Sequence, residues 1–158
     1  MSTYVKNVVE MKDIVKANFV YIEDNRYVFD FDMIIPLPQD ADNDLRNERW
    51  GCSNSTGFDV EIQSNDRIAF YTSWTPPIPI FKKLCEMFPL ADISCRWSNE
   101  IVGYDTGFIE GVNGEICEGH YDDYSNEAYE TFIDIWECPE CLYKDENGNW
   151  QRTEICGD

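Results

Sequence analysis

A chain of 158 residues, 43% of them hydrophobic and 15% aromatic, can bury a core of its own and is too apolar for a disordered segment. Its 31 acids against 12 lysines and arginines leave a formal net charge of −19. Such a field repels nucleic-acid phosphates and anionic membranes, which argues against direct binding to either, and it attracts a basic surface.

Thr3 to Val9 alternate loosely as a strand does, and Met11, Ile14, Val15 and Phe19 then fall at helical spacing. The opening stretch has polar breaks every few residues and no apolar run long enough for a signal peptide or a membrane span, so a cytoplasmic location is expected. Residues 25–40 form an apolar run closed by Pro36 and Pro38, which lack the donor a central strand needs. An acidic segment follows, readable as a helical turn or a loop. "GFDVEIQ" and "RIAFYTSW" are period-two runs around Ser64-Asn65-Asp66, which predicts a hairpin.

In "TPPIPIFKKLCEMFP", Thr75 is the expected helix cap, Ile80, Leu84, Met87 and Phe88 form the apolar stripe, and Pro89 ends it. Two strand segments come next, "DISCRWSNEIVG" and "TGFIEGVNGEICEG", the latter with a turn signal at Asn113-Gly114. "SNEAYETFIDIW" places Ala128, Phe132, Ile135 and Trp136 on one helical face, and a last hairpin is expected around Asn147-Gly148. The order is strand, helix, hairpin, helix, strand. It predicts an α+β ferredoxin-like βαββαβ fold, an antiparallel sheet with helices on one face. Residues 1–116 are assigned to this domain, and 117–158 to a C-terminal helix and cysteine-containing β-hairpin packed on it.

Three ordered motifs sharpen the reading. They are Phe29, Asp30, Phe31, Ile35, Pro36 and Pro38; then Trp50, Gly51 and Cys52; then Thr72, Trp74, Pro76, Pro77, Phe88 and Pro89. Together, across residues 3 to 116, the chain resembles the YubB-type ferredoxin-like domain family of plasmids, phages and other mobile elements. The resemblance implies this fold and such a habitat, with no agreed activity. One departure stands out: where that family carries Lys-Trp after its Trp-Gly-Cys, this chain has Ser53-Asn54-Ser55-Thr56.

Seven cysteines, an odd number without an export signal, suggest reduced thiols rather than a disulfide framework. Cys117-x-x-His120 and Cys138-x-x-Cys141 have the spacing of two zinc knuckles, but a helix about 18 Å long would hold them apart. If Asn147-Gly148 is a two-residue turn, Cys156 falls opposite Pro139. Cys138, Cys141 and Cys156 could then hold a structural zinc ion, with His120 or Cys117 as fourth ligand. Plain buried or edge thiols are the alternative. A redox pair would want Cys-x-x-Cys at a helix N-terminus, whereas this one follows its helix.

His120 is the only histidine, and neither a nucleophile elbow nor a phosphate loop surrounds it, so the chain is read as a non-enzyme. Trp50, Trp74, Trp97 and Tyr104 lack the basic neighbours of a base-stacking platform and are assigned to the core. Two acidic sets remain: Asp40, Asp42, Asp44 and Glu48; and Glu115, Glu118, Asp122, Asp123, Glu127 and Glu130. They lead to the expectation of a small phage or mobile-element protein that docks on a basic, nucleic-acid-handling host protein. It would inhibit that protein by nucleic-acid mimicry, in the manner of anti-CRISPR or anti-restriction proteins. The alternative is a self-assembling scaffold domain with a zinc-clipped tail.

Overall fold

The computed structural model of the chain describes residues 3–54 and 56–153. Its main body is one antiparallel sheet of eight strands. In chain order these are β1 (Tyr4–Glu10), β2 (Val20–Glu23), β3 (Arg26–Asp30), β4 (Thr56–Ser64), β5 (Arg67–Ser73), β6 (Ile93–Asn99), β7 (Thr106–Val112) and β8 (Glu115–Tyr121). Across the sheet the order is β2-β3-β4-β5-β1-β6-β7-β8. Three α-helices accompany it, α1 (Asn43–Trp50), α2 (Ile78–Met87) and α3 (Asn126–Trp136), and β9 (Leu142–Lys144) with β10 (Trp150–Arg152) closes the described chain. A ferredoxin-like βαββαβ unit is present as β1, α1, β4, β5, α2 and β6, with α1 as its first helix in place of the one expected at Met11–Phe19, and its strands sit as β4-β5-β1-β6 at the centre of the sheet. The hairpins β2–β3 and β7–β8 widen it at either side.

Strand β1 explains the layering. Val5 and Val9 point into the main core while Val8 belongs to a separate cluster with Ala69 and Ile135, so the strand is buried on both faces. One face carries α1 and α2 over a core of Phe29, Phe31, Phe70, Phe81, Trp97 and their neighbours. The other carries α3, which reaches the sheet through Ile135 and Trp136 and shelters a small cluster of Val102, Tyr129, Phe132, Cys141 and Leu142. The predicted helices thus split between two faces. The boundary expected between residues 116 and 117 falls inside β8, a full member of the sheet.

Two local expectations are corrected. Met11 to Phe19 forms only a 3-10 turn at Ile14–Lys16, because Asp13 before it is left-handed (φ 56°) and Ala17 after it is extended. The β4–β5 turn competes for this backbone: Met11 N–H donates to Asp66 O (2.9 Å) and Asp13 N–H to the Asp66 carboxylate (2.8 Å). Ile14 and Phe19 are still fully buried. Helix α2 begins at Ile78 rather than beside Thr75, whose hydroxyl instead donates to Gly51 O at 2.6 Å and ties α2's approach to the end of α1. Asn54, in the stretch that departs from Lys-Trp, accepts from Ser73 N–H at 2.8 Å and so anchors the end of β5. Of the four aromatics assigned to the core, Trp50 and Trp97 are buried, while Trp74 and Tyr104 are exposed. No helix among the described residues is long and apolar enough to cross a membrane.

Candidate functional site

The negative charge is unevenly placed along the chain. Residues 1–104 carry 16 acids and 10 lysines and arginines, whereas residues 105–146 carry 13 acids and one lysine, Lys144. The second stretch is β7, β8, α3, the loops that join them and the start of the last hairpin, with six of its acids on the strands and helix and seven in the loops and hairpin. A tight turn creates that edge. Asn113 (φ 53°) and Gly114 (φ 79°) both have the positive φ of a type I′ turn, and the register follows without a slip from Val112↔Glu115 to Thr106↔Tyr121. Ser125 caps α3 by accepting from Ala128 N–H (3.2 Å). The apolar stripe of Ala128, Tyr129, Phe132 and Ile135 then turns inward, which leaves Glu127 and Glu130 facing solvent.

All ten acids of the predicted partner surface are exposed, but they do not form one face. Asp40, Asp42, Asp44 and Glu48 lie before and along α1, on the α2 side of the sheet. Glu127 and Glu130 lie on α3, on the opposite side, and β8 runs along the rim between the layers. The sequence marks the two acidic segments but not which face of the sheet each one reaches. Four of the ten also have local duties. Asp42 caps α1 through Leu45 N–H (2.9 Å), Glu118 pairs with Lys82 (3.1 Å), Asp123 accepts from Asp105 N–H (2.9 Å) and Glu130 from the Trp150 indole (3.2 Å). The larger set, on β8, the following loop and α3, is the candidate site.

His120 sits in this rim opposite Gly107, and its Nε2 lies 3.0 Å from Asp105 Oδ1, which also accepts from the Trp97 indole at 3.3 Å. The sequence reading missed Asp105, fifteen residues away. A two-residue turn at Asn113-Gly114 pairs 107 with 120 by counting outward, so the signal was there. Lys6 is a second residue missed. It is only 6% exposed on central strand β1, its Nζ 3.5 Å from Glu61 and 5.7 and 5.9 Å from the ring centres of Tyr71 and Trp136. That contact pins α3 to its face of the sheet.

The expected zinc ligands do not gather among the described residues, and no group of three His, Cys, Asp or Glu there could hold a metal. Cys117 and His120, three apart on one strand, point to opposite faces of the sheet. Cys138 and Cys141 are bonded to each other, which corrects the expectation of reduced thiols for this pair, while Cys52, Cys85, Cys95 and Cys117 are free. Cys156 lies outside the described residues. The last hairpin also differs by one residue from the expected register. Trp150 pairs with Lys144, not Glu146 with Asn149, and the loop is five residues long. Asp145 is the cause: its carboxylate accepts from Asn147 N–H (2.9 Å), Asn149 N–H (3.0 Å) and the Gln151 amide (3.1 Å).

Those donors, the Asn149 N–H foremost, hold the Asp145 carboxyl below its ordinary pKa. A depressed carboxylate contributes stability that is complete above the unfolded pKa, about 4, and is lost as pH falls through the folded value. Hairpin amides around Asn147 and Asn149 are therefore expected to lose exchange protection below about pH 4, and in Asp145→Ala at every pH. Hydrogen exchange read by NMR checks both.

Burial pushes the Cys52 thiol up to about 12 and raises those of Cys85 and Cys95, whereas Cys117 is exposed on β8. Iodoacetamide is expected to label Cys117 in the folded protein, and Cys52, Cys85 and Cys95 only after unfolding. Peptide mass mapping distinguishes the two sets.

Comparison with known proteins places this geometry in a family. The family model described as the ferredoxin-like domain in Api92-like protein matches residues 50–139, more than half of the chain. Among solved structures, the chain is similar to the crystal structure of the protein Api92 from Yersinia pseudotuberculosis. Sequence identity is 18% and the TM-score 0.46, over 59% of this chain and 39% of that one. The likeness spans well under half of that protein's length. No curated protein matches the chain.

Proposed function

The chain belongs to the family of the ferredoxin-like domain in Api92-like protein, and on that scaffold we propose that it acts as a small acidic binding protein. Its partner is a basic, nucleic-acid-handling host protein, and the acidic rim takes the place of the phosphate backbone there, inhibiting by mimicry. The reading is carried by one observation: 13 acids against a single lysine between residues 105 and 146, six of them on β7, β8 and α3 and seven in the adjoining loops and the start of the last hairpin. At such density the potential is cooperative, speeding encounter with a cationic surface and rejecting anionic ones. The motifs that resemble the YubB-type family support a phage or mobile-element origin, with action in the host cytoplasm. No bond-making role is assigned to any residue.

The test is recovery from a host-cell lysate on the immobilised protein. The account expects a basic protein that is released by duplex DNA and by raising salt from about 0.05 M to about 0.5 M, where screening collapses the field to a few ångströms. Retention indifferent to both DNA and salt overturns it.

A further inference from the structure

The strand β8 is the outermost of the sheet on the acidic side. It is seven residues long, pairs with β7 over its whole length without a bulge, and contains neither proline nor lysine. Among the described residues no element pairs with its outer side, and most of its residues are exposed. The opposite edge, β2, is only four residues long. Sheet edges are ordinarily blunted by shortness, bulges, charged side chains, proline or a covering element, since a row of unpaired N–H and C=O groups is a template for another strand. Of these β8 has only the carboxylates of Glu115 and Glu118, among the described residues. Their charge is of one sign.

That sign selects the occupant. If two copies paired antiparallel across the full strand, Glu118 would face Glu118 of the copy, and like charges directly opposite each other oppose pairing. An extended segment bearing lysine or arginine meets the opposite situation. We infer that the outer edge of β8 receives an extended basic segment of the partner as an added antiparallel strand, with cationic side chains across from Glu118 and Glu115. Ile116, 42% exposed, shares the face of Glu118, with Glu115 on the other face, and lies across from an apolar residue of the incoming strand. Main-chain hydrogen bonds supply affinity in this mode and the alternating side chains supply selectivity. The inference rests on the proposed function and gives its acidic rim a defined mode of contact.

The probe is a capped heptapeptide, TVTKTVK, which sets lysines across from Glu118 and Glu115 and valine across from Ile116. Its control has the same sequence with alternate backbone amides N-methylated, keeping the charge and blocking the ladder. With the full chain at low salt, the plain peptide is expected to slow exchange of the outward-pointing amides of β8. The methylated control is expected to bind at least about tenfold more weakly, since several hydrogen bonds of about 1 kcal/mol each are lost. Glu115→Gln/Glu118→Gln, which alters only exposed side chains, is expected to weaken the plain peptide as well.

Equal binding of both peptides without new protection in β8 overturns strand addition and leaves the acidic binding reading standing. Equal binding of a peptide with threonine in place of lysine overturns the basic class of occupant. Protection of β8 that grows with protein concentration and no peptide overturns the inference in favour of a second copy. No binding of either peptide overturns it too, while lysate recovery judges the proposed function separately.

Discussion

Phe70→Ala is expected to lower the free energy of unfolding by about 3–5 kcal/mol, the range for removing a large aromatic from a close-packed core. Phe70 is fully buried on central strand β5. Its ring stacks on Phe29 at 4.7 Å and meets Phe31 and Phe81 edge-on at 6.0 and 6.3 Å. The ring also fills the space over Gly57, where an added Cβ would lie 2.4 Å from it. One side chain therefore joins the β2–β3 extension to the central unit and to α2. Urea denaturation measures the loss, with Ile22→Ala as the comparison: Ile22 is 62% exposed, and its change stays within about 0.5 kcal/mol. A loss below about 1 kcal/mol at Phe70 contradicts this account of the core.

Reversing Glu115, Glu118, Glu127 and Glu130 to lysine is expected to leave the fold in place and slow association with the proposed basic partner by about ten- to a thousandfold, the span of electrostatic steering. All four side chains are exposed. The Glu118–Lys82 bridge and the Glu130–Trp150 indole hydrogen bond that are lost both lie at the surface, and the bridge contributes about 0–1 kcal/mol to stability. Reversing Asp40, Asp44 and Glu48 is the control, compared per charge reversed, because it changes three charges on the α1 side of the sheet, away from the rim. The account expects a several-fold smaller effect there. Equal effects from the two sets would mean that net charge alone, not its placement, governs binding.

Much of the fold was legible because local chemistry and tertiary packing agree. The β4–β5 hairpin and the Asn113-Gly114 turn stand as the residues predict, whereas α2 forms as expected but buries Ile80, Phe81, Leu84 and Cys85, leaving Met87 exposed and Phe88 beyond its end. The misreadings have physical causes. Asn-Gly occurs twice and gives two different loops. At 113–114 nothing nearby competes, whereas at 147–148 the Asp145 carboxylate captures the loop N–H groups and lengthens it by three residues. Met11 to Phe19 keeps a helical spacing of apolar residues, yet the Asp66 turn takes its backbone donors. The face chosen by α3 is a tertiary outcome, although Val8 beside Val9 hinted that β1 is covered on both sides.

The candidate site was half legible for the same reason. Charge is written in the sequence, so the acids of β8 and α3 could be named, and their separation from those of α1 could not. His120 was visible as the only histidine, but its partner Asp105 is a product of strand register. The zinc expectation called on Cys156, which lies outside the described residues, and on Cys138 and Cys141, which bond to each other.

The most direct measurement is the rate of association between this protein and the proposed basic partner, purified from the lysate recovery, as a function of ionic strength, with the dissociation rate recorded alongside. If the rim of β8 and α3 is the binding surface, the association rate falls about tenfold or more between about 0.02 M and 0.5 M salt and the dissociation rate changes far less. An association rate that stays level across that range contradicts the claim that this protein works through its concentrated negative charge.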